Sequence, residues 1–419
     1  MKSSDTSQQL KPRSRNSGSN VSGNTNARGS LFTLFIIVFV DLLGFGIIIP
    51  ILPYYAKTFG ASGVELGLLM ASYSAMQFIF SSLWGSLSDK YGRKPILLMS
   101  MVGSALSLTW MGFATTLATL FYARILAGIF GANISTAFAM AADLTSEENR
   151  TKGMGIVGAA FGLGFIFGPA IGGALSGISM AAPLFFGAGL IASNFFLAFF
   201  ILKEPLGSTE DRKLSHSRKL SFDGIRKTLT NAQTLRPIAC VFLLTIAIAQ
   251  MEVTFAYYIL EKFGLGARPA GYLLAMMGLI MAGFQGGVTA RLAKKYPLTA
   301  LSTVGFAICA VSLSLFGLAD SFVFAVVALA FLGIGHGILQ PVLSSWTSLS
   351  SDKHSQGATM GVYQSASSLS RIIGPPTAGL LYERVSHPAP YYMGAILLVI
   401  ALLISLRPAS SGQRPAVSS

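Results

Sequence analysis

Two stretches without a single Asp, Glu, Lys or Arg, residues 67 to 84 and 96 to 113, are separated by the charged segment Gly85-Ser86-Leu87-Ser88-Asp89-Lys90-Tyr91-Gly92-Arg93-Lys94-Pro95. Each uncharged run is long enough to fill the hydrocarbon core of a bilayer as a helix. The segment between them therefore has to be a tight turn in water, and its residues suit that task. Gly85 lets two helices approach closely, Gly92 admits a positive φ, and Pro95 fits the first turn of the helix that follows. Asp89 and Arg93 stand four apart, a spacing at which they pair if the turn coils.

The rest of the chain is built in the same way. With 52% hydrophobic and 11% charged residues and a mean hydropathy of +0.63, these 419 residues are too apolar for a soluble protein of this size. An all-α, polytopic membrane protein is expected, with the lipid bilayer as its surroundings. The net charge of +14 does not argue for nucleic acid, because the cations sit in loops and tails and form no continuous face. Cys240 and Cys309 are the only cysteines and both fall in apolar runs, which gives neither a disulfide framework nor a zinc spacing. The aqueous segments carry no glycine-rich nucleotide loop with its Lys, and no Ser, Cys or His arrangement for hydrolysis. Neither an ATP-driven pump nor an enzyme is expected, and no cofactor or metal.

Twelve spans are expected at roughly 31 to 55, 66 to 87, 95 to 113, 117 to 140, 152 to 177, 183 to 202, 237 to 260, 270 to 292, 298 to 318, 321 to 346, 357 to 382 and 389 to 406. Residues 1 to 30 are polar, with Asp5 their one acid, and read as a disordered tail. No small-residue cleavage site marks them as a signal peptide, so the first span is expected to stay in the chain. Of the 30 lysines and arginines, 24 fall in the loops and tails of one side, and only Lys57, Lys262, Arg268 and Arg384 on the other. This bias puts both termini in the cytoplasm.

Between residues 203 and 236 the composition turns charged and polar, which reads as a linker between a six-helix bundle at 31 to 202 and a second at 237 to 407, with a tail at 408 to 419. The halves echo one another. Gly155, Gly168 and Pro169 recur at one constant offset as Gly361, Gly374 and Pro375, and Ala127, Ile129 and Gly131 recur as Gly333, Gly335 and Gly337. Two pseudo-symmetric bundles with a path between them follow from this.

Few charges lie inside spans. Asp41 falls about 15 Å into the first, near mid-bilayer. A carboxylate there is costly unless it is paired, protonated or facing water, which suits either a reversible proton carrier or a permanent ion pair. Arg124, in Tyr122-Ala123-Arg124-Ile125-Leu126-Ala127-Gly128, keeps its proton and so can only hold or release a nearby carboxylate, unless it merely snorkels to the outer surface. Glu252 is the other acid well inside a span, open to a role in binding a cation or a second proton, or to simple hydration near the outer mouth. His336 and Arg371 are buried by sequence, His336 as a packing residue or a relay. Gln77, Asn133, Gln250, Gln285, Gln340 and Gln364 offer uncharged hydrogen bonding that suits an amphipathic ligand, or else glues helices together. Asp143 is either a partner of Asp89 and Arg93 or an ordinary cap. In the fifth span Gly164, Gly168 and Gly172 form a bare stripe for close helix packing, with Pro169 to bend it and Gly173 beside it.

The string from Gly85 to Pro95 resembles the signature loop between the second and third helices of the major facilitator superfamily. That resemblance implies twelve helices in two bundles and a cytoplasmic gate, in which Asp89 meets the start of the eleventh span and Arg93 positions it. The fourth span is similar to the family motif whose Arg is linked to proton coupling. The pattern from Gly155 through Gly164, Gly168, Pro169, Gly172 and Gly173 resembles the motif of the drug:proton antiporters, and the chain looks like bacterial tetracycline efflux proteins over all twelve spans, best in the first half. The expected function is proton-coupled export of a small amphipathic compound by a monomer in a bacterial inner membrane. Two alternatives are uniport or efflux of an organic anion, with Arg124 and Arg371 on the substrate, and a transporter-like receptor without turnover. Asp41 and the intact glycine pattern favour antiport.

Overall fold

The computed structural model describes residues 20–131, 134–145, 150–202, 204, 222–351 and 356–406. Among them there is no strand. The first half consists of α1 (Asn20–Ile48), α2 (Leu52–Thr58), α3 (Gly63–Tyr91), α4 (Arg93–Gly112), α5 (Leu117–Phe130), α6 (Ile134–Asp143), α7 (Arg150–Leu175) and α8 (Ala182–Ile201). After a short α9 (Phe222–Thr230) come α10 (Ala232–Phe263), α11 (Ala267–Gly283), α12 (Thr289–Lys295), α13 (Leu298–Leu318), α14 (Phe322–Leu349), α15 (Gln356–Arg384) and α16 (Ala389–Leu406). A π-helical turn, Phe284–Val288, joins α11 to α12.

Among the described residues, seven helices are long and apolar enough to cross a membrane, and Phe32–Ile48 with Leu52–Thr58 makes one more, bent span. In hydrocarbon the backbone must pair its own N–H and C=O groups, and a helix does so within one segment, which is why uncharged runs become helices. Polar residues punctuate the ends. The Ser62 hydroxyl accepts from the Glu65 N–H while the Glu65 carboxylate accepts from the Ser62 N–H, so the first turn of α3 is capped twice.

Three details differ from the sequence expectation. α1 starts at Asn20, inside the stretch read as a disordered tail, because each residue added to an existing helix gains a hydrogen bond at little further cost. The first span breaks at Pro50, which has no N–H to give, and α1 and α2 meet at a 41° bend. α9 lies inside the expected linker and is fastened to α15 by the hydrogen bond between the Thr228 and Thr359 hydroxyls, 3.0 Å. Residues 1 to 19, the tail from 408 and Asn133 lie outside the described residues.

Close backbone contact sets the packing. The stripe of Gly164, Gly168 and Gly172 on α7 lies against α1: a Cβ added at Gly168 would sit 2.6 Å from the Gly46 Cα, and one at Gly164 2.7 Å from the Leu42 Cβ. Gly173, next along, faces the other half, where an added Cβ would come within 2.9 Å of the Arg268 carbonyl oxygen and 3.0 Å of the Gly271 Cα on α11. A second seam between the halves joins α3 to α15, with Gly63 and Gly67 set against Gly379 and Pro375. Both seams lie at the end of the molecule opposite the hinge at 85 to 95. Helices in lipid gain nothing from burying apolar area against one another, so such contacts carry their association.

Gly168→Leu forces four carbons into the contact with Gly46 and is expected to lower stability by on the order of 1 to 3 kcal/mol. The melting temperature of the detergent-purified variant measures this, and an unchanged value would mean that α1 and α7 separate at no cost.

Candidate functional site

A cavity of about 330 Å³ lies between the halves, within the usual range for a small-molecule site. Its wall is made by helix periodicity. Asp41 and Phe45 stand one turn apart on α1, Tyr73 and Gln77 one turn apart on α3, and Gln364, Ser368 and Arg371 share a face of α15 across from them. Phe165 of α7, Ser104 and Leu108 of α4 and Ile191 of α8 complete it. The mix of one carboxylate, one guanidinium, amides and aromatic rings suits a ligand with both charged and apolar parts.

The structure thus brings Asp41, Gln77, Gln364 and Arg371 together and sets the other candidates apart from that wall. Arg124 is buried, with its guanidinium carbon 4.5 Å from the centroid of the Tyr73 ring and Nη2 4.0 Å from the Met70 sulfur. Glu252 of α10 is half-buried, within electrostatic reach of Arg371 on α15. Gln250 donates to the Thr377 hydroxyl at 3.0 Å and so ties α10 to α15. His336 and Gln340 of α14 and Gln285 of the π-helical turn are half-buried, and the His336 Nδ1 has no hydrogen-bond partner among the described residues. Gln77 donates to the Gly131 carbonyl at 2.9 Å.

At the hinge end, Arg93 is the centre of a cluster confined to the first half. It pairs with Asp89, with Asp143 at 3.0 Å and with the Ser88 hydroxyl at 2.6 Å. The Ser88 hydroxyl in turn donates to the Gly85 carbonyl at 2.8 Å. Gly92 takes φ +106°, a value that favours glycine, and hands the chain to α4. The backbone N–H groups of Arg93 and Lys94 then donate to the two carboxylate oxygens of Glu204, at 2.7 and 2.8 Å. A carboxylate at a helix N-terminus satisfies orphan donors and complements the dipole. Glu204 was invisible to sequence reasoning, because nothing local marks a residue after the sixth span as the cap of the third.

The opposite end is closed across the halves. Lys57 of α2 pairs with Glu261 of α10 at 2.7 Å, and the other Glu261 oxygen accepts from Tyr382 at 2.5 Å and lies 3.4 Å from the His387 Nδ1. Tyr54 donates to the Leu265 carbonyl at 3.1 Å, Tyr257 donates to the Ala61 carbonyl at 3.2 Å, and the Val64 N–H donates to Glu383 at 3.2 Å. Lys57 and Glu261 are 204 residues apart, too far for any spacing rule to pair them. Gln364 and Arg371 on the cavity wall are exposed, and the bonds across the halves named here all lie at the end away from the hinge.

Residues 34–375 match the family model described as Major Facilitator Superfamily. The chain is 32% identical over 378 residues to the tetracycline resistance protein, class E, of Escherichia coli, covering 88% of this chain and 92% of that protein. It is 28% identical over 384 residues to multidrug resistance protein 2 of Bacillus subtilis (strain 168), covering 89% and 94%. Among solved structures, a mutant of the nucleoside transporter NupG shares the fold with a TM-score of 0.77 at 13% identity, over 90% of this chain and 98% of that one.

Glu261→Gln keeps the shape of the closed end and removes its charge. A half-exposed pair of this kind is worth roughly 0.2 to 1 kcal/mol, so the balance between closed and open is expected to move only a few-fold. Labelling of a cysteine introduced by Ser368→Cys with a membrane-impermeant maleimide from that side should rise accordingly. Cys240 and Cys309 are buried and give little background.

Proposed function

The chain belongs to the major facilitator superfamily, and on that premise we propose that it exports small amphipathic compounds, drugs among them, in exchange for protons by alternating access. The observation that carries this reading is the cavity between the halves, with Asp41 and Arg371 both on its wall and the end away from the hinge bridged across the halves. Tetracycline and multidrug resistance proteins are relatives along nearly the whole chain, which supports drug efflux over organic-anion uniport or a receptor without turnover.

We place the hinge end in the cytoplasm, on the strength of the lysine and arginine bias. Substrate then enters the cavity from the cytoplasm, while the Lys57 to Glu261 end seals the outside. To turn outward, the molecule has to part those outer contacts and close the hinge end. Asp89, here held by Arg93, is positioned to do the closing by meeting the N-terminus of α15, where the helix dipole favours a negative charge. Asp41 takes a proton from the outside and gives it up toward the cytoplasm, with Arg124 tuning the exchange. Each proton brings in about 2.3 kcal/mol per 100 mV of membrane potential. We assign the bundles to 31 to 202 and 237 to 407, joined by the segment 203 to 236, and the whole to a monomer in a bacterial inner membrane.

Asp41→Asn mimics the protonated state permanently. In proteoliposomes it is expected to exchange tetracycline down its gradient yet ignore an imposed pH difference, and undiminished response to that difference would move the proton carrier elsewhere. Asp89→Asn should reach the membrane in normal amount and lose most export from cells lacking their own pumps. Full export by that variant would remove the latch. A panel of drugs in the same cells defines the substrate range.

A further inference from the structure

Asp41 lines the cavity and Arg124 does not; the residue that touches both surroundings is Tyr73. Arg124, Gly128 and Gly131 follow one another at spacings of four and three, so they share a face of α5 and its end, and that face is fitted to Tyr73. The Arg124 guanidinium lies over the ring. A Cβ at Gly128 would come within 2.5 Å of the Tyr73 carbonyl oxygen, and one at Gly131 would strike the Tyr73 hydroxyl. On the other side the Phe45 ring is 5.2 Å from the Tyr73 ring, and the Gln77 Nε2 is 3.4 Å from the hydroxyl. Tyr73 is therefore pinned from α1 and α5, and by Gln77 one turn along its own helix. Arg124, by contrast, is held weakly for a buried cation: among the described residues its Nε has no hydrogen-bond partner, and a thioether is a poor acceptor. The negative face of the ring is the main favourable environment its charge has.

We propose that Tyr73 is a positioning residue for proton coupling, whose ring holds the Arg124 guanidinium and thereby sets the pH at which Asp41 exchanges its proton. This rests on the reading of Asp41 as the proton carrier. Among the described residues, the charged and titratable groups around Asp41 include Tyr73 from α3, Arg124 behind it on α5, and Arg371 on α15, with Glu252 acting on Arg371 from α10 and His336 from α14. α4, α7 and α8 present Ser104, Phe165 and Ile191, which carry no charge. Removing the ring frees the guanidinium for a carboxylate. A cation moving nearer a carboxylate favours its ionised form, so the exchange shifts to lower pH.

The test is a pH titration of the carboxylic C=O stretching band in infrared spectra of the purified full-length protein, with the band assigned by its loss in Asp41→Asn. Tyr73→Leu should lower the midpoint by on the order of one pH unit, as expected for loss of a desolvated cation–π contact. Tyr73→Phe keeps the ring face and should keep the wild-type midpoint. Progressively fluorinated phenylalanines at position 73 keep the shape and weaken the negative face, so the midpoint should fall in graded steps; this series decides the matter even if Tyr73→Leu does not fold. A midpoint that ignores fluorination makes Tyr73 a packing residue only and overturns the inference, while leaving Asp41 as carrier. If Asp41→Asn removes no titrating band and leaves transport coupled, the reading of Asp41 fails first and takes the inference with it.

Discussion

Everything in this fold depends on how closely two helix backbones can approach. A soluble protein would press its helices together by expelling water, but apolar side chains here meet lipid tails that are as apolar as themselves. What discriminates one partner from another is contact geometry. Gly168 against Gly46 locks α7 onto α1 inside the first half, and Gly173 against Gly271 sets α7 onto α11 of the second. The same short stretch thus holds a bundle together on one face and seals the path between bundles on the other. Bare backbone is well suited to the second task. A contact without interdigitating side chains can close tightly and part again without extracting knobs from holes.

The division of labour between the two ends follows from chemistry. The hinge end is bound within its own half, by Arg93 to Asp89 and Asp143 and by Glu204 to the start of α4, so it moves as a unit. The far end is bound across the halves by the half-exposed Lys57 to Glu261 pair, by hydrogen bonds from Tyr54 and Tyr257 to backbone carbonyls, and by the Val64 N–H on Glu383. Exposed pairs contribute little each. A seal made of several weak bonds fits a transporter, which has to break it in every cycle.

Much of this was legible in the chain. The uncharged runs gave the helices because a backbone in hydrocarbon has no other stable form, and periodicity placed Asp41 and Arg371 well inside their spans. Composition of single segments was less informative. Gln250 and Gln77 look alike as isolated amides in apolar runs and both bond a neighbouring helix, yet only Gln77 of the two also lies on the cavity wall. Tyr73 lies in a run with no charge to draw attention, and its importance comes from a partner 51 positions away on another helix. Lys57 and Glu261 were readable only as loop or end charges. Pairings of this kind are properties of the assembled fold, and a single sequence carries no spacing from which to derive them.

The break at Pro50 separates two things that an unbroken first helix would have welded together. Asp41 belongs to α1, which is clasped along its length by α7, whereas Tyr54 and Lys57 belong to the short rod beyond the 41° bend. A rigid rod would transmit any movement of the Lys57 end straight to the carboxylate. A jointed one is a coupling with play in it: tilting of the short rod about Pro50 need not displace Asp41 from the cavity wall.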